Sequence, residues 1–284
     1  LKNQVEQNSP IEAEPQEIIN ISGYRFVELE QLTELQANML ADFKEIGIKG
    51  TILLADEGIN AAMAGTRGQV TAVKAWFEKD SRFANLWLKE SESDTLPFSK
   101  LKVRLRPEII TFQSGAQNPV SPARNPAPAM SPTKLKQWLD DNENFTLLDT
   151  RNHYETASGT FGKALDLKLN TFKQFGDAVN TALENGELDL NKPVVTFCTG
   201  GIRCEKAAPY LIQQGFTEVY QVEGGILNYF EQCGGEHWDG NCFVFDDRAE
   251  INPVLEPTGA RMCEECNLAI PANDTCPCGA VTPS

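Results

Sequence analysis

Residues 198–204 bring together the side chains best able to do chemistry: Cys198, Thr199, Gly200, Gly201, Ile202, Arg203 and Cys204. An apolar run, 193–197, leads into this segment and a helical pattern follows it. Two adjacent glycines let the backbone curl tightly and approach a ligand. A curl at a helix N-terminus turns several N–H groups inward, where the helix dipole adds partial positive charge. Cys198 would sit at the bottom of that cradle. Such surroundings lower a thiol's pKa, so the expected chemistry is that of a nucleophilic thiolate. Arg203 adds a full positive charge. Cys204, in the first helical turn, can resolve a sulfenate or persulfide formed on Cys198, or simply pack in the helix.

Three other sets of residues have chemical potential. Cys263, Cys266, Cys276 and Cys278 lie close together near the end of the chain as C-x2-C and C-x-C. The first pair has the spacing of half a zinc site; the second is one residue short of the usual knuckle, leaving structural zinc or labile thiols as alternatives. Lys100, Lys102, Arg104 and Arg106 alternate with Leu101, Val103 and Leu105. On a strand this gives one basic stripe and one apolar face, and a basic stripe can position phosphates. The two histidines, His153 and His237, are too few for a His-rich metal site, and no His and carboxylate spacing points to an iron triad.

The elements that must position these groups are legible from hydrophobic period. Residues 18–112 alternate strand and helix patterns in the order β-α-β-β-α-β, an α+β ferredoxin-like unit. Strands are predicted at 21–29, 48–55, 59–64, 86–89 and 101–105. Helices are predicted around Leu35 to Ile46 and Val70 to Phe77, the first stopped by Gly47. Residues 113–131 carry Pro119, Pro122, Pro126 and Pro128 and read as a linker. From 132 to 236 the pattern is α/β with a parallel sheet. Strands are expected at 145–149, 193–198 and 219–222. Helices are expected at 132–139, 170–183 and 203–214, with a short one after Gly225. Ligand sites in such sheets lie beyond the carboxyl ends of the strands. Residues 1–17 read as a loose polar tail, and 237–284 as a Cys-bearing extension with one strand at 242–246.

The chain has 284 residues and a net charge of −15. That size fits about two domains, and the charge argues against non-specific coating of DNA or acidic membranes. No apolar run approaches a membrane span, and the first residues lack the apolar stretch of a secretory signal. Cysteine usage then favours reduced thiols in a cytoplasmic protein.

The C-x4-R spacing from Cys198 to Arg203 resembles the rhodanese active-site loop, tighter than the C-x5-R ring of cysteine phosphatases. Residues 147–151 (LLDTR), 159–164 (GTFGKA) and 222–226 (VEGGI) are similar to further rhodanese segments. The resemblance implies that Asp149 and Arg151 support the loop. More narrowly, residues 53–60 (LLADEGIN), 89–94 (KESESD), 101–104 (LKVR), 198–205 (CTGGIRCE) and 238–246 (WDGNCFVFD) resemble the bacterial tRNA wobble-uridine 5-hydroxylase family. In that family an acylphosphatase-like, ferredoxin-fold domain precedes the rhodanese domain. The resemblance implies tRNA as partner, molecular oxygen as co-substrate, no evident organic cofactor, and Cys198 as the essential residue. It also raises the basic stripe to an RNA-binding candidate. Alternatives are a sulfurtransferase working through a Cys198 persulfide and a non-catalytic RNA- or protein-binding module.

Overall fold

The computed structural model describes residues 17–112, 122, 126–246, 248–272 and 274–279. The predicted tail at 1–17, apart from Glu17, and most of the predicted linker at 113–131 lie outside the described residues.

The first unit contains β1 (Ile18–Phe26), α1 (Leu32–Ile46), β2 (Lys49–Ala55), β3 (Gly58–Thr66), α2 (Arg67–Glu78), β4 (Lys89–Ser93) and β5 (Leu101–Leu105). The sheet order is β4-β1-β3-β2-β5. Its first four strands have the ferredoxin-like arrangement, and β5 is added parallel to β2. Alternate strand residues face opposite sides. Ile19, Ile21, Ile52, Leu54, Ile59 and Met63 therefore share the face covered by α1 and α2, where Met39, Phe43, Val73 and Phe77 meet them. A capping box between Thr66 and Gln69 starts α2, and Gly47 closes α1 in the left-handed region.

The opposite, helix-free face carries Ser22 and Tyr24 of β1, Thr51 and Leu53 of β2, Asn60 and Ala62 of β3, and Lys102 and Arg104 of β5, in register across the sheet. The predicted basic stripe therefore lies on one face. Lys100 falls just before β5 and Arg106 just after it. The apolar side is shorter than predicted: Leu101 and Val103 join the core, but Leu105 is exposed at the strand end. Strand β4 begins three residues later than predicted because the Leu86 N–H bonds Phe83 in a turn.

The second unit contains β6 (Ala129–Met130), α3 (Pro132–Asp140), β7 (Thr146–Asp149), α4 (His153–Thr156), β8 (Gly159–Phe161), β9 (Ala164–Asp166), α5 (Phe175–Glu184), β10 (Val194–Phe197), α6 (Cys204–Gln213), β11 (Val219–Val222), α7 (Gly225–Cys233) and β12 (Trp238–Gly240). Five parallel strands run in the order β6-β11-β10-β7-β9. Helices α5 and α6 pack on one face through Phe175, Val179, Ala207 and Leu211. Helices α3 and α7 cover the other through Leu135, Leu139, Ile226 and Tyr229. Ser131 caps α3 and Pro132 opens it, as the sequence predicts. Helix α5 starts later than predicted, after a 3-10 turn at Phe172–Gln174. The predicted strand at 242–246 shortens to Cys242–Phe243, because the Val244 N–H turns back onto Ala249.

Lys206 of α6, only 2% exposed, joins the units. Its ammonium meets Glu57 at 2.9 Å, Glu108 at 2.7 Å and the Ile110 carbonyl at 2.9 Å. Lys89 pairs with Glu231, and Arg248 bonds Ser91, across the same junction. Removing one partner of a buried ion pair leaves uncompensated charge. Lys206→Ala should therefore cost about 3–5 kcal/mol and split a single calorimetric transition into two; one unshifted transition would show that Lys206 does not couple the units.

Candidate active site

The site is built at the carboxyl ends of β7, β10 and β11. Strand β10 is buried along its length and delivers Cys198 at its end. The backbone then curls, with Gly201 at φ +95°, a conformation open to glycine. This brings the Gly201 N–H to 3.1 Å from Cys198 Sγ. Helix α6 starts at Cys204, so its N-terminus faces the same sulfur. The second glycine turn presses on the loop from behind. The Ile226 N–H donates to the Cys198 carbonyl at 3.0 Å, and the Leu227 N–H to the Thr199 carbonyl at 3.1 Å. A Cβ on Gly225 would stand 2.3 Å from the Cys198 carbonyl oxygen. Only glycine permits this approach.

Burial by itself would raise the Cys198 thiol. The Cys204 S–H bond, the Arg203 charge and the backbone N–H groups of Arg203 and Cys204 outweigh it, and the thiol is lowered to about 6. Cys204 moves the other way: burial raises it, and its bond to the Cys198 sulfur raises it further. The pair is thus a thiolate beside a thiol. Cys204 also contacts the Thr150 hydroxyl at 3.7 Å.

Arg203 keeps its charge beside the Cys198 sulfur while a carboxylate anchors it. Its guanidinium forms a fork on Glu155, at 2.5 and 2.6 Å, with both side chains buried. The Thr199 hydroxyl reaches the same carboxylate at 3.5 Å. Glu155 is a site residue that sequence reasoning missed. A signal existed: Asn152 and Glu155 have the spacing of a capping box, and that box starts α4. Asp149 and Arg151 are both fully buried, so they are not a surface pair. Arg151 bonds Asp149 at 2.7 Å and the Gly159 carbonyl at 2.7 Å, and its guanidinium lies over Trp238. This ties β7, β8 and β12 together beneath α4, which carries Glu155. Gly200 and Ile202 are only partly buried and form the outer rim of the loop.

Cys198, at the bottom of its cradle, has no exposed surface. A side chain of the first unit lies over the loop. The Tyr24 hydroxyl donates to Glu205 Oε1 at 3.2 Å and lies 2.8 Å from where a Gly201 Cβ would be. Burial raises the pKa of Glu205. No local sequence signal marks Tyr24, which is 181 positions from its partner. His237 bonds Asp140, and His153 bonds Asp166. Phe197, Tyr229 and Trp238 pack in the core.

The tail cysteines do converge. The sulfurs of Cys263, Cys266, Cys276 and Cys278 all lie within 4.8 Å of one another, with contacts of 3.7 Å (Cys263 to Cys278), 3.4 Å (Cys266 to Cys276) and 3.1 Å (Cys276 to Cys278). The cluster could hold a metal ion.

Comparison with known proteins supplies the family. A UPF0176 acylphosphatase like domain matches residues 18–109, and a rhodanese-like domain matches 131–232. The chain is 46% identical to a tRNA uridine(34) hydroxylase of Cupriavidus metallidurans over 259 residues, covering 89% of this chain and 90% of that protein. It is 44% identical to the tRNA uridine(34) hydroxylase of Bordetella petrii over 248 residues, covering 86% and 96%. Among solved structures, it is similar to the rhodanese-like domain of an Anabaena protein (23% identity, 40% of this chain, 79% of that one, TM-score 0.34). With both domains matched in order and this identity sustained over most of its length, the chain belongs to the tRNA uridine(34) hydroxylase family.

Proposed function

We propose that this protein hydroxylates uridine 34 of tRNA at carbon 5, giving 5-hydroxyuridine, with Cys198 as the catalytic residue and molecular oxygen as co-substrate. The observation that carries this reading is the buried Cys198 thiolate in its ring of N–H donors, in a chain of this family. Carbon 5 of uracil is a poor nucleophile. Addition of the thiolate to carbon 6 turns carbon 4 and carbon 5 into an enolate that reacts with oxygen. Donors in the ring stabilise the developing negative charge. Cys204 completes the balance. Uridine, dioxygen and the two thiols give 5-hydroxyuridine, water and a Cys198–Cys204 disulfide, which an external thiol reopens.

The β5 edge of the first unit's helix-free sheet face, beyond the part that Tyr24 holds against α6, is the RNA approach. Arg104 lies on it in register with Leu53, Asn60 and Tyr24, and Lys102 in register with Thr51, Ala62 and Ser22. Lys100 and Arg106 extend the stripe at either end. The four-sulfur cluster holds a structural zinc: four thiolates at these separations are a tetrahedral donor set. It would tie down the end of the chain, away from the reaction.

Three outcomes test these assignments. Nucleoside analysis should find no 5-hydroxyuridine with Cys198→Ser, and wild-type kcat/KM should rise as pH increases through about 6, since the ionised thiol is the reacting form; in Cys204→Ala, which lacks the second reducing thiol, the inflection in the rate of Cys198 alkylation should move to higher pH. Activity in Cys198→Ser would remove the proposal. Lys102→Glu with Arg104→Glu should weaken tRNA binding and flatten its log–log salt slope by about 1.4; an unchanged slope would place RNA elsewhere. Protein purified under reducing conditions should carry one zinc per chain, lost in Cys266→Ser; metal-free wild type would identify the cluster as free thiols.

A further inference from the structure

Two polar side chains beside the loop take no part in the steps above. Glu205 follows Cys204 in the first turn of α6. Gln221 lies on β11, 8% exposed, with its amide beside Glu205. That leaves Gln221 Oε1 as a buried acceptor without a partner among the described residues. A buried, unpaired amide oxygen is costly to keep, and such groups are rare unless something comes to meet them.

The neighbouring chemistry indicates what meets it. Tyr24, a planar six-membered ring with a polar edge, reaches over Gly201 and bonds Glu205. Uracil is also a planar six-membered ring. Its edge offers one donor, N3–H, between two carbonyl acceptors. A free amide oxygen fits the N3–H. Desolvation shifts Glu205 toward its protonated form, which can donate to a carbonyl. Cytosine carries a bare acceptor at N3 and would leave the Gln221 oxygen facing a lone pair. The same two side chains would therefore separate uridine from cytidine.

We infer that Glu205 and Gln221 form the edge that reads the imide of the target uracil, and that the Tyr24 phenol holds this place until the base displaces it. The base-reading part rests on the hydroxylase reading; the covering part does not. The cover explains why Cys198, the residue the reaction needs, has no exposed surface. It also assigns the first unit a role in the site beyond binding RNA: it supplies the group that the substrate must replace.

Two measurements test the inference. The first is the rate at which iodoacetamide alkylates Cys198 in the full-length protein, read by peptide mass spectrometry. Tyr24→Ala should raise it about tenfold, the weight of one hydrogen bond to a buried acid, and Tyr24→Phe should raise it less. Equal rates in all three proteins would overturn the cover. The second is binding of anticodon hairpins with uridine or cytidine at position 34 to the inert Cys198→Ser protein. Uridine should be preferred, and adding Gln221→Leu should reduce the preference by roughly tenfold to a hundredfold. Glu205→Gln, which keeps a donor, should retain part of it. A preference unmoved by Gln221→Leu, or absent before it, would overturn the reading edge. If the preference responds to Gln221 but the wild type makes no 5-hydroxyuridine, the edge stands and the reaction assignment falls.

Discussion

Keeping a negative sulfur where water cannot reach it is the constraint around which the second unit is organised. Desolvation alone would protonate Cys198. Everything that opposes it is local and geometric: a glycine N–H at 3.1 Å, the first turn of a helix, the Cys204 thiol and the Arg203 charge. Each requires the loop to be curled, and the loop stays curled because a second glycine turn closes on its carbonyls. The Arg203 charge is in turn fixed by Glu155, whose helix rests on the Asp149–Arg151 brace. The sulfur's ionisation thus depends on contacts several residues removed from it.

The two units contribute different physics. The second gathers dipoles and charge around one atom. The first presents a sheet face without helices, small side chains in its middle and cations on its β5 edge. A chain with a net charge of −15 repels polyanions at a distance. On the RNA-binding role proposed for Lys102 and Arg104, recognition is short-range, made where these two stand beside neutral neighbours. Lys206 keeps that face against the loop by drawing two carboxylates from the first unit onto α6.

What the sequence made legible was local. The curled loop reads from an apolar run, two glycines and a helix start, because backbone conformation there is set by residues a few positions apart. The ferredoxin-like order reads from alternating periods, although β5 extends the sheet and β4 is displaced by the turn after α2. The tail cysteines read as two pairs whose meeting needed the fold. Illegible were the contacts that join distant segments: Glu155 to Arg203, and Tyr24 to Glu205. A capping box marks why Glu155 starts a helix, not which cation it will face. Tyr24 sits in a strand pattern like any aromatic, and its neighbour is decided by how two sheets meet.

Tyr24 also bears on how this protein survives its own synthesis. Translation produces the first unit well before the nucleophile, and domains generally fold in the order they emerge. By the time Cys198 leaves the ribosome, the ring that will shelter it already stands on a finished sheet. The reactive sulfur is therefore born next to its shield, and a nascent chain whose opening segment misfolds would carry that sulfur naked.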